Sequence, residues 1–144
     1  MLNIQLPDTH GIEFALKHDA PGLAQIFVRR GLDFEEKGNL IQAIDDYSTA
    51  LRIHPGDAQT FWRRGLAFSK KGDLDRAITD FNEALDVNPV LVEALHARAR
   101  VWAQKRRFDR AMEDFDALLQ LNPHDVQALH SREQILGKEV LALS

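Results

Sequence analysis

The chain has 144 residues, 44% hydrophobic and 28% charged, with a net charge of −4. That is enough for one domain with a real core, and the acidic balance excludes a bulk polycation gripping a nucleic-acid backbone. The absence of cysteine excludes a disulfide scaffold, a thiol nucleophile and cysteine-ligated zinc, and leaves the redox compartment open.

In chain order, residues 1–9 read as an extended lead, and "GIEFALKHDA" as a short helix. The opening has neither a basic n-region nor an uninterrupted apolar run, which argues against a signal peptide. No stretch approaches the roughly 18 apolar residues needed to span a bilayer. The expectation is a cytoplasmic protein with no membrane partner. From residue 24 the chain repeats. Segments 24–57, 58–91 and 92–125 align without gaps at a spacing of 34, the mark of a repeat architecture. Phe34, Phe68 and Trp102 share a column, as do Ala43, Ala77 and Ala111. Tyr47, Phe81 and Phe115 form another, and Pro55, Pro89 and Pro123 a fourth. Gly31 and Gly65 give way to Ala99.

Each unit divides into two helices. Phe27, Gly31 and Phe34 fall on one face of the first, with a small residue at its centre that lets a neighbouring helix come close. Gly38 ends that helix, since glycine tolerates the left-handed backbone of a C-cap. Leu40, Ala43, Ile44, Tyr47, Ala50, Leu51 and Ile53 form the apolar stripe of the second, and proline then turns the chain into the next unit. Arg106 replaces the turn glycine in the third unit. Either it adopts the same left-handed geometry, at a cost of roughly 1 kcal/mol, or the turn is reshaped. Residues 126–144 repeat the opening of a unit and read as a capping helix, apolar at its end through Val140, Leu141 and Leu143.

These columns resemble the tetratricopeptide repeat. The resemblance implies an all-α superhelix, a solenoid of three helix pairs whose first helices line a concave groove. Two further columns run through it: Arg30, Arg64, Arg98 and Arg132, and Asp46, Asp80 and Asp114. A row of arginines could serve an anionic polymer. The preferred reading is structural, an arginine on a first helix paired with an aspartate on the second helix of the same or the preceding unit, because a partly buried arginine needs an acidic partner.

Function is sought where the columns diverge. One residue past the core column of each first helix, the sequence places Val28, Leu32, Glu35 and Glu36, then Gln59, Trp62, Leu66 and Lys70. Glu93, His96 and Arg100 follow, and His130 and Lys138 on the cap. By the resemblance these positions line the groove, with Glu35 and Glu36 at one rim and Lys70, Arg100 and Lys138 at the other. An apolar strip between opposite charges suits a protein or peptide segment carrying a hydrophobic anchor. Trp62, beside the core residue Phe61, has no aromatic counterpart at Val28, His96 or His130, so the repeat does not require it. It could instead be covered by Ile4 or Leu6 of the lead, or by a second copy in a homo-oligomer formed through the lead or the C-terminal helix.

Some members of the family bind the C-terminal carboxylate of chaperones through lysine, asparagine and arginine. The matching places here are Val28, Leu32, Arg63, Glu93 and Ala97, of which only Arg63 is compatible. Glu93, His96 and His130 could be argued as metal ligands, but a histidine pair in a polar groove is the simpler account, and no metal or cofactor is expected. Lys105, Arg106, Arg107 and Arg110 read as a solvated turn without interleaved base-stacking aromatics, so no nucleic-acid partner is expected. No glycine-rich phosphate loop or nucleophile elbow is present. The expectation is a non-catalytic scaffold or adaptor.

Overall fold

The computed structural model describes His10, Glu13, Lys17, His18 and residues 21–143. The four isolated N-terminal positions are helical, and His10 Nδ1 lies 3.8 Å from Glu13 Oε2. The lead over residues 1–9, with Ile4 and Leu6, lies outside the described residues. From residue 21 the chain forms seven α-helices: α1 (Pro21–Glu36), α2 (Leu40–Ile53), α3 (Ala58–Lys70), α4 (Leu74–Val87), α5 (Val92–Gln104), α6 (Phe108–Leu121) and α7 (Val126–Ala142). Each packs on the next, and α3 also touches α5. With turns this short, consecutive helices run antiparallel, so the architecture is an all-α helical-repeat solenoid with α7 against its last pair. No helix among the described residues is long and apolar enough to cross a membrane.

The turn inside each unit is the same. Gly38 and Gly72 take φ of 77° and 83°. The next residue donates back five positions, Asn39 N–H to Phe34 O at 2.8 Å and Asp73 N–H to Phe68 O at 2.9 Å. This is the Schellman closure of a helix C-terminus. Arg106 keeps it, with φ 59° and Arg107 N–H on Trp102 O at 2.8 Å. The third unit therefore retains the turn and carries the strain of a side chain in left-handed backbone. Between units, Asp57 and Asp125 cap α3 and α7, accepting from Thr60 N–H and Ala128 N–H respectively. Pro21 opens α1 within its first turn, where its missing N–H costs nothing. Pro55 instead lies in the turn before α3.

The small-residue column has a direct cause. A Cβ on Gly31 would stand 2.6 Å from Tyr47 Cε1, and one on Gly65 would stand 2.6 Å from Phe81 Cε1. The aromatic of the second helix lies flat on the first helix at the point where there is no side chain. Tyr47, Phe81, Ala43, Ala77 and Ala111 are fully buried as a result.

Beside each aromatic runs the ion pair. Arg30 grips Asp46 with Nε at 2.6 Å and Nη2 at 2.5 Å, and Arg64 grips Asp80 at 2.8 and 2.7 Å. Arg98 does the same to Asp114 at 2.9 and 2.7 Å. The salt bridge thus lies within a unit. The third arm reaches the preceding unit, Arg64 Nη1 to Ser48 Oγ at 3.0 Å and Arg98 Nη1 to Asn82 Oδ1 at 2.8 Å. One guanidinium therefore ties three helices, and the three aspartates are 2–4% exposed. The bidentate bond to Asp46 drives the Arg30 pKa up against the opposing effect of burial.

Candidate functional site

Among the described residues, two cavities open along the first helices. The larger, about 400 Å³, lies between α1 and α3, with Val28 and Leu32 on one side and Gln59, Thr60 and Arg63 on the other. The second, about 350 Å³, lies among α3, α5 and α7. Trp62, Leu66 and Ala97 line it together with Val92, while Glu93, His96, Arg100 and Gln127 supply its polar atoms. Trp62, Leu66, His96 and Arg100 of the sequence-derived stripe are therefore brought together. Val28, Leu32 and Gln59 meet in the other cavity. A third cavity, about 240 Å³, is built around the Arg64–Asp80 pair and Phe68, where Arg64 is already fully engaged.

The repeat does not require an aromatic at Trp62, yet the side chain takes part in the packing. It is half-buried and packs against two core clusters, one around Leu95 and Phe115, the other around Phe81 and Val101. The repeat does not demand an aromatic there, but this chain has filled the seam between its second and third units with one. Its indole Nε1 is buried with no hydrogen-bond partner, and the Arg63 guanidinium stands 5.2 Å from its ring centre. Arg63 is a groove residue that the stripe did not contain.

The two rims of charge are also corrected. Glu35 and Lys70 do not face each other across an open groove. Lys70 Nζ bonds Glu35 Oε1 at 2.5 Å, joining α1 to α3, and Tyr47 Oη donates to Glu35 Oε2 at 2.8 Å. Burial, and then the bond to Glu35, raise the Tyr47 pKa well above the usual phenol value. In the α3/α5/α7 cavity the charges left to a visitor are Arg100 and Glu93, both exposed.

At the C-terminal end, His96 Nε2 lies 2.8 Å from Asp125 Oδ2, which links α5 to the start of α7. Burial pushes the Asp125 pKa up, but the bonds from Ala128 N–H and His96 outweigh it and hold the carboxyl below its ordinary value. His130 Nε2 is 3.0 Å from Gln134 Nε2 on its own helix. The two histidines once weighed as metal ligands thus have separate partners, and no cluster of three or more potential ligands occurs among the described residues. The His96–Asp125 contact was missed in the sequence because Leu91 occupies the matching position one repeat earlier. The helix-capping context of Asp125 before "VQA" was the available signal.

A family profile described as tetratricopeptide repeat matches residues 28–86 and again 62–126, together more than half of the chain. The chain belongs to the tetratricopeptide repeat family. No curated protein sequence matches it significantly, whereas solved tetratricopeptide repeat domains share its fold at low identity. The domain of Arabidopsis OM64 superposes with a TM-score of 0.77 at 19% identity, over 82% of this chain and 98% of that one. The first such domain of Spaghetti (RPAP3), bound to the HSP90 peptide SRMEEVD, gives 0.76 at 22%, over 83% and 93%. The second domain of human RPAP3, in complex with the HSP70 peptide SGPTIEEVD, gives 0.74 at 23%, over 81% and 98%.

Proposed function

We propose that this tetratricopeptide repeat chain is a protein-interaction scaffold that takes a peptide or helical segment in the groove of its first helices, seating an apolar side chain in the α3/α5/α7 cavity. The observation that carries this reading is the cavity itself. Its floor of Trp62, Leu66 and Ala97 is apolar and its rim holds an exposed arginine and an exposed glutamate. At about 350 Å³ it has room for one or two large side chains, with Arg100 and Glu93 left to orient charged neighbours. Two of the related domains carry chaperone peptides, which supports peptide capture as the use of the groove. The residues argue against the same carboxylate-ending ligand. Val28 and Ala97 are buried apolar residues, and Glu93 would repel a carboxylate.

A display library of short random peptides, selected on the whole chain with Trp102→Phe so that Trp62 is the sole tryptophan, tests the reading. Selected peptides should carry an aliphatic or aromatic anchor and shift Trp62 emission on binding. They should lose affinity about tenfold on Arg100→Glu, a substitution at an exposed position. Selected peptides indifferent to Arg100→Glu and silent in Trp62 emission would reject the groove. A second reading, self-association, is supported by the exposed apolar side chains of α7 and its C-cap: Val126, Leu129, Leu136, Val140 and Leu143.

A further inference from the structure

The exposed side chains of α7 and its C-cap are regularly spaced. Val126, Leu129, Glu133, Leu136, Val140 and Leu143 recur at alternating steps of three and four, the seam of a coiled coil with β-branched residues at one core position and leucine at the other. Glu133 is the single charged interruption. The five apolar members are 39–89% exposed. Their buried counterparts lie elsewhere on the helix, where Ala128 and Ile135 pack onto the preceding pair.

The middle of this seam, from Leu129 to Leu136, is the face that every other first helix gives to its own second helix. Leu129, Arg132, Glu133 and Leu136 stand in the columns of Phe61, Arg64, Gly65 and Phe68. Where α1, α3 and α5 meet an aspartate with their arginine, Arg132 has only a contact from Nε to Asp116 Oδ1 at 3.4 Å, and that buried Nε makes no hydrogen bond. A repeat-type second helix is not the natural occupant, because Glu133 fills the place where Gly65 admits the Phe81 ring. A coiled-coil partner, held at a wider spacing by interlocking side chains, does not need that gap.

We propose that the occupant is α7 of a second copy, lying antiparallel, so that the chain forms a twofold dimer; this rests on the self-association reading above. Direction follows from charge. A parallel pair would stack Glu133 on Glu133 in the core, with like charges facing. An antiparallel pair sets Val126 opposite Leu143, Leu129 opposite Val140 and Glu133 opposite Leu136 of the second copy. It also brings Arg132 beside Glu139 of the second copy, twice by symmetry, supplying the carboxylate that the arginine column finds in every other unit. A helix of 17 residues is about 26 Å long, so the contact lies at the small end of stable interfaces and the dimer is concentration-dependent.

The test is light scattering and sedimentation of the whole chain across a wide concentration range. A mass rising from 16.4 kDa toward twice that value is expected, with self-association weakened about tenfold or more by Leu136→Glu or Glu139→Arg. Glu133→Leu should strengthen it. The chain lacks cysteine, so single cysteines report direction cleanly: Val126→Cys mixed with Leu143→Cys should oxidise to the mixed disulfide faster than either alone. A monomer at every concentration overturns both the helix pairing and the self-association reading. A dimer indifferent to Leu136→Glu overturns the pairing alone, and a faster disulfide between two Leu143→Cys chains overturns the antiparallel direction.

Discussion

Replacing Asp80 by alanine tests whether the arginine–aspartate column holds the stack together. Asp80 is 2% exposed and accepts both arms of Arg64, whose side chain is 22% exposed and whose third arm rests on Ser48 of the preceding unit. Removing one member of a buried pair costs about 3–5 kcal/mol, because the other charge stays behind without its partner. Here about a fifth of the arginine side chain reaches water, so the lower end, about 3 kcal/mol, is expected. Asp80→Asn keeps one carbonyl acceptor and should cost about half as much. The double change Arg64→Met with Asp80→Leu removes both charges while filling similar space, and should lie within about 1 kcal/mol of the wild type. Urea unfolding followed by helical circular dichroism measures all three, provided the slope m is unchanged. A loss below about 1 kcal/mol for Asp80→Ala, or a double variant as unstable as the single one, would refute the assignment of the column to stability.

Arg106→Gly should stabilise the chain by about 1 kcal/mol, visible as a melting point a few degrees higher, because glycine adopts the left-handed backbone without strain. Tyr47→Phe loses one hydrogen bond to Glu35 and should cost about 1 kcal/mol in urea unfolding. Phe81 and Phe115 already occupy that column without a hydroxyl, and Glu35 keeps Lys70. The Asp125 carboxyl is held below its ordinary value, so its contribution is complete above the unfolded carboxyl value of about 3.9 and is lost as pH falls through the lower folded value. The stability difference between wild type and Asp125→Ala should therefore be constant near neutrality and shrink only in strong acid. A difference that closes at neutral pH would exclude the capping role.

Most of the fold was legible because stacking asks each unit for the same answer. The glycine column, the aromatic that lies on it and the arginine–aspartate pair recur at 34 residues, and each recurrence corresponds to one contact in the structure. Even Arg106 was legible as a choice between two turns, and the hydrogen bond from Arg107 N–H to Trp102 O selects the first. The groove was less legible for the converse reason. Positions that do not recur have no second copy in the sequence to interpret them, and their partners come from other helices. Nothing in the spacing says that Lys70 turns back to Glu35, or that His96 reaches Asp125 29 residues on. The periodic reading sorted residues by whether the stack needs them. It could not tell how unneeded ones satisfy one another.

Arg63 and Arg64 make the distinction concrete. They are neighbours in sequence, about 100° apart around one helix, and identical in chemistry. Arg64 recurs, points at the second helices and is fixed by bonds to Asp80 and Ser48. Arg63 recurs only once, as Arg29, and gives way to Ala97 and Ser131 in later units; it stands over the Trp62 ring and lines the α1/α3 cavity. The first arginine is held by two helices packed against it, so moving it means separating units. The second is held by one face of the half-buried Trp62 ring, a contact worth about 0.5–2 kcal/mol. An incoming acidic group can therefore recruit Arg63 at small cost, whereas Arg64 is not available at all. A groove built on such a stack can change its preferences by substitution at positions like Arg63 and Trp62 while the arginine–aspartate columns keep the units in register.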